Sequence, residues 1–175
     1  MNLFFRLLYT TLAARFRPAR AIADTCRTPF RVWPTDLDVI RHMNNGIYFS
    51  ILDLARVDAM IRVGLLAKLK ERDWYPVVAG ETIQFRKSLT LFERFEVATT
   101  VLGWDEKSFW LEQRFERKGA PVATAVIRSR FLKRSGGSVR PAEVLELIGH
   151  GAESPTLPPW VERWTNDQQS ALAAR

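Results

Sequence analysis

The stretch Gly46–Val63 (G-I-Y-F-S-I-L-D-L-A-R-V-D-A-M-I-R-V) constrains the fold more than any other part of the chain. Its length and apolar content predict a helix. Only Ser50, Asp53, Arg56, Asp58 and Arg62 interrupt the apolar residues. A helix that is apolar on nearly every side has to be covered on most of them, so the rest of the chain must fold around it. Asn44 or Asn45 can cap its start, and Gly64 can end it in a left-handed turn. With 175 residues, 47% of them apolar, the chain can build one substantial core and is expected to form one domain. A charged fraction of 26% argues against global disorder, and no apolar run reaches the roughly 18–20 residues that span a bilayer.

After Trp74 the period changes to two. Pro76–Lys87, Phe95–Trp104, Ser108–Arg117 and Ala120–Arg134 read as four strands with short links, an antiparallel meander. In Ser108–Arg117, Phe109, Leu111, Gln113 and Phe115 alternate with Trp110, Glu112, Arg114 and Glu116. Thr28–Trp33 reads as a further strand before the helix, with Thr35–Asn45 a polar, turn-rich link. Pro141–Ile148 reads as a short helix with proline in its first turn. The order is therefore α+β: an antiparallel sheet wrapped around a long central helix, the physical description of a hotdog fold. One curved sheet leaves part of such a helix uncovered, so the sheet must wrap it or a second subunit must cover it; a homo-oligomer, dimer or tetramer, is expected.

Charge is lopsided. Of a net +7, most lies in residues 1–34, where six arginines face Asp24 alone. A nucleic-acid binder would more often carry the excess on its folded face, so no nucleic-acid partner is expected. Within the arm, Phe4, Leu8, Leu12 and Phe16 recur at four-residue spacing, with Arg6, Thr10, Arg17 and Arg20 on the other side. This predicts a cationic amphipathic helix ending near Pro18, which either packs on its own domain or a second subunit, or lies aromatic side down on a membrane through residues 1–20. Arg15, Arg17 and Arg20 stand between the apolar stretch and Ala21-Ile22-Ala23, the wrong arrangement for a cleaved secretion signal. A cytoplasmic location, with peripheral membrane contact as the variant, is the expectation. The segmentation is an arm at 1–27, the domain at 28–150 and a tail at 151–175, the tail an extended arm docked by Trp160 and Trp164. A single cysteine, Cys26, and two histidines, His42 and His150, leave no material for a disulfide framework or a Cys/His metal cage, so no metal is expected.

Between the first strand and the helix lies D-L-D-V-I-R-H-M-N-N-G-I-Y, Asp36–Tyr48. Two carboxylates stand just ahead of a buried helix, whose first turn presents unpaired N–H groups and a partial positive charge. A carbonyl bound there would be polarised, its developing oxyanion held by the N–H groups near Asn45 and Gly46. A nearby carboxylate can attack the carbonyl carbon or deprotonate a water that does so. The segment resembles the D-x-D-x-x-G-H-v-N-N-x-x-Y signature of 4-hydroxybenzoyl-CoA thioesterase-like hotdog proteins, and most closely the branch of thioesterase superfamily member six-like proteins. The resemblance spans roughly residues 28–134.

That resemblance implies an acyl-CoA thioesterase that takes an acyl-CoA or acyl-carrier thioester and needs no cofactor beyond the CoA of its substrate. It implies that Asp38 is the catalytic carboxylate, as nucleophile or general base, and that Asp36 holds the loop by accepting backbone N–H bonds. His42 would touch the thioester or the water, or lock the loop. Asn44 would cap or line the site, and Tyr48 would line the site or belong to the core. Many family members have glycine where Arg41 stands; an arginine there would narrow the pocket mouth or meet an anionic part of the ligand. Arg86, Lys87, Arg128 and Arg130, with Lys133 and Arg134 nearby, can receive the phosphates of CoA at a subunit interface, or serve as a charged sheet edge. A hotdog dehydratase would need a histidine in the helix, which holds none. The alternative of another class is a non-catalytic acyl-CoA or lipid-binding hotdog protein at a membrane surface.

Overall fold

The computed structural model describes residues 3–151 and 153–173. Helix α1 is Leu3–Ala14, followed by strand β1, Cys26–Arg31. A 3-10 turn at Pro34–Asp36 leads through the D-L-D segment into helix α2, Asn45–Arg62, and then α3, Leu65–Glu71. Strands β2 (Trp74–Phe85), β3 (Arg94–Trp104), β4 (Phe109–Arg117), β5 (Ala120–Lys133) and β6 (Ser138–Val139) follow. Helices α4 (Pro141–Leu147) and α5 (Pro159–Ala173) close the chain. The sheet is antiparallel, in the order β1-β3-β4-β5-β2, with β6 also on β5.

The expected meander of four consecutive strands holds only for β3-β4-β5. β2 lies at the far edge, paired with β5, and the 86–93 loop carries the chain across the sheet to β3. Short links join β3 to β4 and β4 to β5, whereas that eight-residue connection frees β2 and β3 from pairing with each other.

α2 lies on the inner face of the sheet. Tyr48, Ile51, Leu52 and Ala55 pack against Val97, Phe115, Ala123, Ala125 and Ile127, all essentially without solvent exposure. α2 is also covered by α1, which packs on it. Cover there is polar. Asp58 is fully buried and accepts hydrogen bonds from Arg17 Nη1 at 2.5 Å and Thr28 Oγ1 at 2.8 Å, with Arg62 Nη1 at 3.4 Å. Under the helix, Arg56 Nη1 donates to Gln113 Oε1 at 2.7 Å, and Gln113 Nε2 donates to Leu52 O and Thr99 Oγ1. The polar interruptions of the helix are thus mostly buried and paired, as buried polar groups must be. Gly64 ends α2 at φ 72°, the left-handed conformation expected of it.

The termini differ from expectation. α1 stops at Ala14, and its buried residues are Arg6, Thr10 and Ala14; the apolar side faces out. The tail is not an extended arm. Residues 153–158 form no helix or strand; α5 follows and seats Val161 and Trp164 over Trp110 and Val126 on the outer face of the sheet, while Trp160 is exposed. Gly103, at a bulge in β3, makes room for this crossing: a Cβ there would stand 2.9 Å from the Pro155 carbonyl oxygen.

Candidate active site

Residues 36–44 form a short two-legged ladder. Asn44 N donates to Asp36 O at 2.8 Å, Leu37 and Met43 bridge, and Asp38 N donates to His42 O at 2.8 Å. One leg runs directly into α2. Asp38 therefore lies across from His42, two residues or about 7 Å of extended chain from the level of Asn44. The ladder is pinned from outside by Met43 N to Leu89 O, 2.8 Å, and a His42–Thr90 bridge.

The two aspartates do not share a side. The 3-10 turn rotates Asp36 inward, where it is 2% exposed; its Oδ2 accepts from Trp33 N at 2.7 Å and from Arg6 Nη2 at 2.5 Å. The expected backbone bond is there, together with a buried ion pair to α1 that sequence reasoning missed. Only the i, i+30 separation of an arginine and an aspartate could have hinted at it, and that separation carries no signal. Asp38 is half-buried. Its Oδ1 accepts from Ile40 N (3.0 Å) and His42 N (3.1 Å), an Asx-type turn, while Oδ2 has no partner among the described residues.

At the helix start, Asn44 is the N-cap: its Oδ1 accepts from Gly46 N at 2.8 Å. That bond occupies the Gly46 amide, one of the two expected oxyanion donors. The Asn45 amide has no acceptor among the described residues and stays available. Tyr48 is 2% exposed and packs edge-on to Phe85 and tilted on Phe115. Burial raises its phenol pKa above the ordinary value. Its position on α2 faces the sheet, and it packs in the core cluster.

The cationic residues divide. Arg41 is exposed at the ladder end, and Arg86 and Lys87 are exposed in the same 86–93 loop that pins the ladder. Arg128 and Arg130 are elsewhere. They lie on the outer face of β5, where Arg128 is 8% exposed over the Trp110 ring and Arg130 Nε donates to Ser108 Oγ. β5 runs about 3.3 Å per residue, so Arg128 stands about 17 Å along it from Ala123, the partner of Phe85. They do not join the ladder within one copy. A cavity of about 370 Å³ lies between the C-terminal half of α2 and strands β2, β3, β4 and β5, lined by Val57, Met60, Val77, Leu111 and Phe131, with Asp53 and Arg56 at its polar part. No residue of 36–46 is in its wall.

A family model, Thioesterase-like superfamily, matches residues 32–165. The chain belongs to that superfamily. The match begins just after β1, ahead of the D-L-D ladder, and takes in α2 and strands β2 to β6. Among curated relatives, Protein THEM6 of Xenopus laevis is 38% identical over 141 residues, which cover 79% of this chain and 67% of the relative; Protein THEM6 of Danio rerio is 36% identical, covering 83% and 71%. Among solved structures, the YbaW probable thioesterase of Escherichia coli superposes with a TM-score of 0.66 at 22% identity, covering 73% of this chain and 99% of that one. The protein SAV2348 from Staphylococcus aureus, solved in complex with CoA, superposes with 0.65 at 17% identity over 81% and 92%. At these identities the structures establish the fold, the hotdog arrangement expected of the superfamily.

Proposed function

We propose that this superfamily member hydrolyses acyl-CoA thioesters, with the ladder and the first turn of α2 as the reacting centre. The observation that carries the reading is Asp38: a half-buried carboxylate with one oxygen fixed by two amides and the other unpartnered, on a ladder that leads straight into a buried helix. In this scheme a water held at Asp38 Oδ2 loses its proton to the carboxylate and attacks the carbonyl carbon. The oxyanion lies on the Asn45 amide, favoured by the helix dipole. Collapse breaks the C–S bond and expels the CoA thiolate, which takes up a proton; direct attack by Asp38 gives the same products through an anhydride. Arg41, Arg86 and Lys87 suit the phosphates of CoA. A second copy completes the site, because the apolar cavity suited to an acyl chain lies along α2 from the ladder of its own copy.

Asp38→Asn separates this from a purely structural role. Asparagine keeps an oxygen for the Ile40 and His42 amides but has no carboxylate. On a panel of alkyl- and aryl-CoA thioesters, turnover should fall about 100-fold or more while the circular dichroism spectrum is unchanged. Wild-type turnover in folded Asp38→Asn protein would remove Asp38 from the chemistry. The second reading, an acyl-CoA or lipid binder without hydrolysis, draws on the two amide bonds to Asp38, which a turn alone explains. It calls for CoA-ester binding with no turnover across that panel.

A further inference from the structure

Helix α1 is mounted in the opposite sense to an ordinary surface helix. Its arginine side is buried, and Phe5, Leu8, Leu12 and Phe16 are 58%, 50%, 48% and 89% exposed. The mounting is clamped at both ends. Arg6 holds Asp36 and the Arg31 carbonyl, and Arg17, just beyond the helix, holds buried Asp58. The clamp at Arg6 is also a contact with the D-L-D ladder, whose tip residues Val39 and Ile40 are 99% and 66% exposed. Beside the ladder, Phe92 is half exposed and edge-on to Trp33, at φ 61°. A bulky residue in the left-handed region is strained, and such strain marks positions kept for what the side chain does.

We propose that the outward face of α1, the tip at Val39–Ile40 and Phe92 form one docking face that sits in the interfacial layer of an anionic lipid bilayer. Exposed apolar surface on this scale is uncommon on a monomer and marks an interaction site. Charge selects the occupant. Of the four arginines in residues 1–23, Arg6 and Arg17 are taken up by Asp36 and Asp58, which leaves Arg15, directly before Phe16, and Arg20 exposed, and Arg41 is exposed next to Ile40. Anionic headgroups complement that rim, and apolar residues flanked by arginine suit a helix lying in the headgroup layer. A second copy pressed face to face would set like charges against each other. Docked this way, Asp38 stands one residue from the lipid boundary, where long-chain acyl esters concentrate. The docking does not depend on hydrolysis, so it stands or falls separately from the proposed reaction.

The test is flotation of the full chain with vesicles of phosphatidylcholine containing a minority of phosphatidylglycerol. Wild type should float, and high salt or pure phosphatidylcholine should weaken binding. The double variant Leu8→Asp, Leu12→Asp changes exposed positions only and should lose about tenfold or more of the binding with its circular dichroism retained. Val39→Cys carrying an environment-sensitive fluorophore, with Cys26 buried at 2% exposure, should shift to the blue on the same vesicles. Wild type that stays with the buffer overturns the proposal. So does equal flotation of the double variant, or a label at position 39 that remains in water while wild type floats. A double variant that turns a dimer into a monomer by light scattering, with no vesicle binding by wild type, assigns the face to a second copy and also overturns it.

Discussion

Arg41 occupies φ 64°, a left-handed position that costs an L-residue roughly 1–2 kcal/mol and costs glycine nothing. Its N–H donates to Asp38 O at 3.0 Å, so the conformation is built into the ladder and its side chain is free to point outward. Arg41→Gly should therefore stabilise the protein by about 1 kcal/mol, raising Tm by about 2–4 °C, while weakening CoA-ester binding. An unchanged or lower melting temperature would contradict the strain argument. The Arg6–Asp36 pair makes the opposite case. Both side chains are about 5% exposed or less, and removing one partner leaves a buried carboxylate with only the Trp33 amide. Arg6→Ala should cost about 3 kcal/mol in urea unfolding. The exposed Arg140–Glu143 pair should cost under about 1 kcal/mol on the same treatment and serves as the control.

β2 is the element with most left unfinished. It is a twelve-residue edge strand, bonded on one side to β5 and broken by a bulge between Val78 and Gly80. Long edges invite pairing, and in the proposed reading this is the edge at which a second copy would add its own strand. Its inner face carries Glu81, whose Oε2 is buried without a partner. Burial raises the Glu81 pKa, with Arg56 lowering it and Asp53 raising it. A raised folded pKa means the folded chain holds this proton more tightly than the unfolded one. Its contribution is therefore most favourable at low pH and is lost as pH rises through the folded pKa. Glu81→Gln should raise Tm at pH 8 and leave it nearly unchanged at pH 4. A rise of equal size at both would show that desolvation of the charge is not the cause.

Across the whole molecule, the sheet is laced by acid–arginine contacts that act in the other direction. Burial pushes Glu116 up, but hydrogen bonds and charge from Arg27 and Arg114 outweigh it and hold the carboxyl below its usual range. Glu93 behaves alike, with burial outweighed by the Thr90 amide and Arg117. A depressed folded pKa adds stability above the unfolded value and loses it as pH falls through the folded one. The share of Tm carried by Glu116 and Glu93 should be nearly level from pH 7 to 5 and decline below about pH 4, the carboxylate range, and Glu116→Gln should flatten that decline. A transition that does not move between pH 5 and pH 3 would contradict this. These contacts join β1 to β4 across β3, and the 86–93 loop to β4, so acid should loosen the strands nearest the ladder first.

Local pattern alone determined the helix, read at 46–63 and found at 45–62, its left-handed stop at Gly64, the strands by their period of two, and a D-L-D segment ahead of a buried helix end. Each depends on neighbours within a few residues, whose spacing is written in the chain. The capping role of Asn44 was legible for the same reason. Only the tertiary structure decided which strands are neighbours, since an eight-residue loop is long enough to cross a sheet and its length does not say that it does. It also turned the amphipathic arm over. Periodicity marks two faces of a helix but not which one is buried, and here two buried carboxylates, Asp36 and Asp58, outbid the apolar side by pairing with Arg6 and Arg17. The tail became a helix because Val161 and Trp164 find Trp110 on the outer face, a contact about fifty residues away in the chain. Arg128 and Arg130, grouped by sequence with Arg86 and Lys87, were separated by the pleat and length of β5. Distances of that kind are set by how strands are laid side by side, which no local run of residues records.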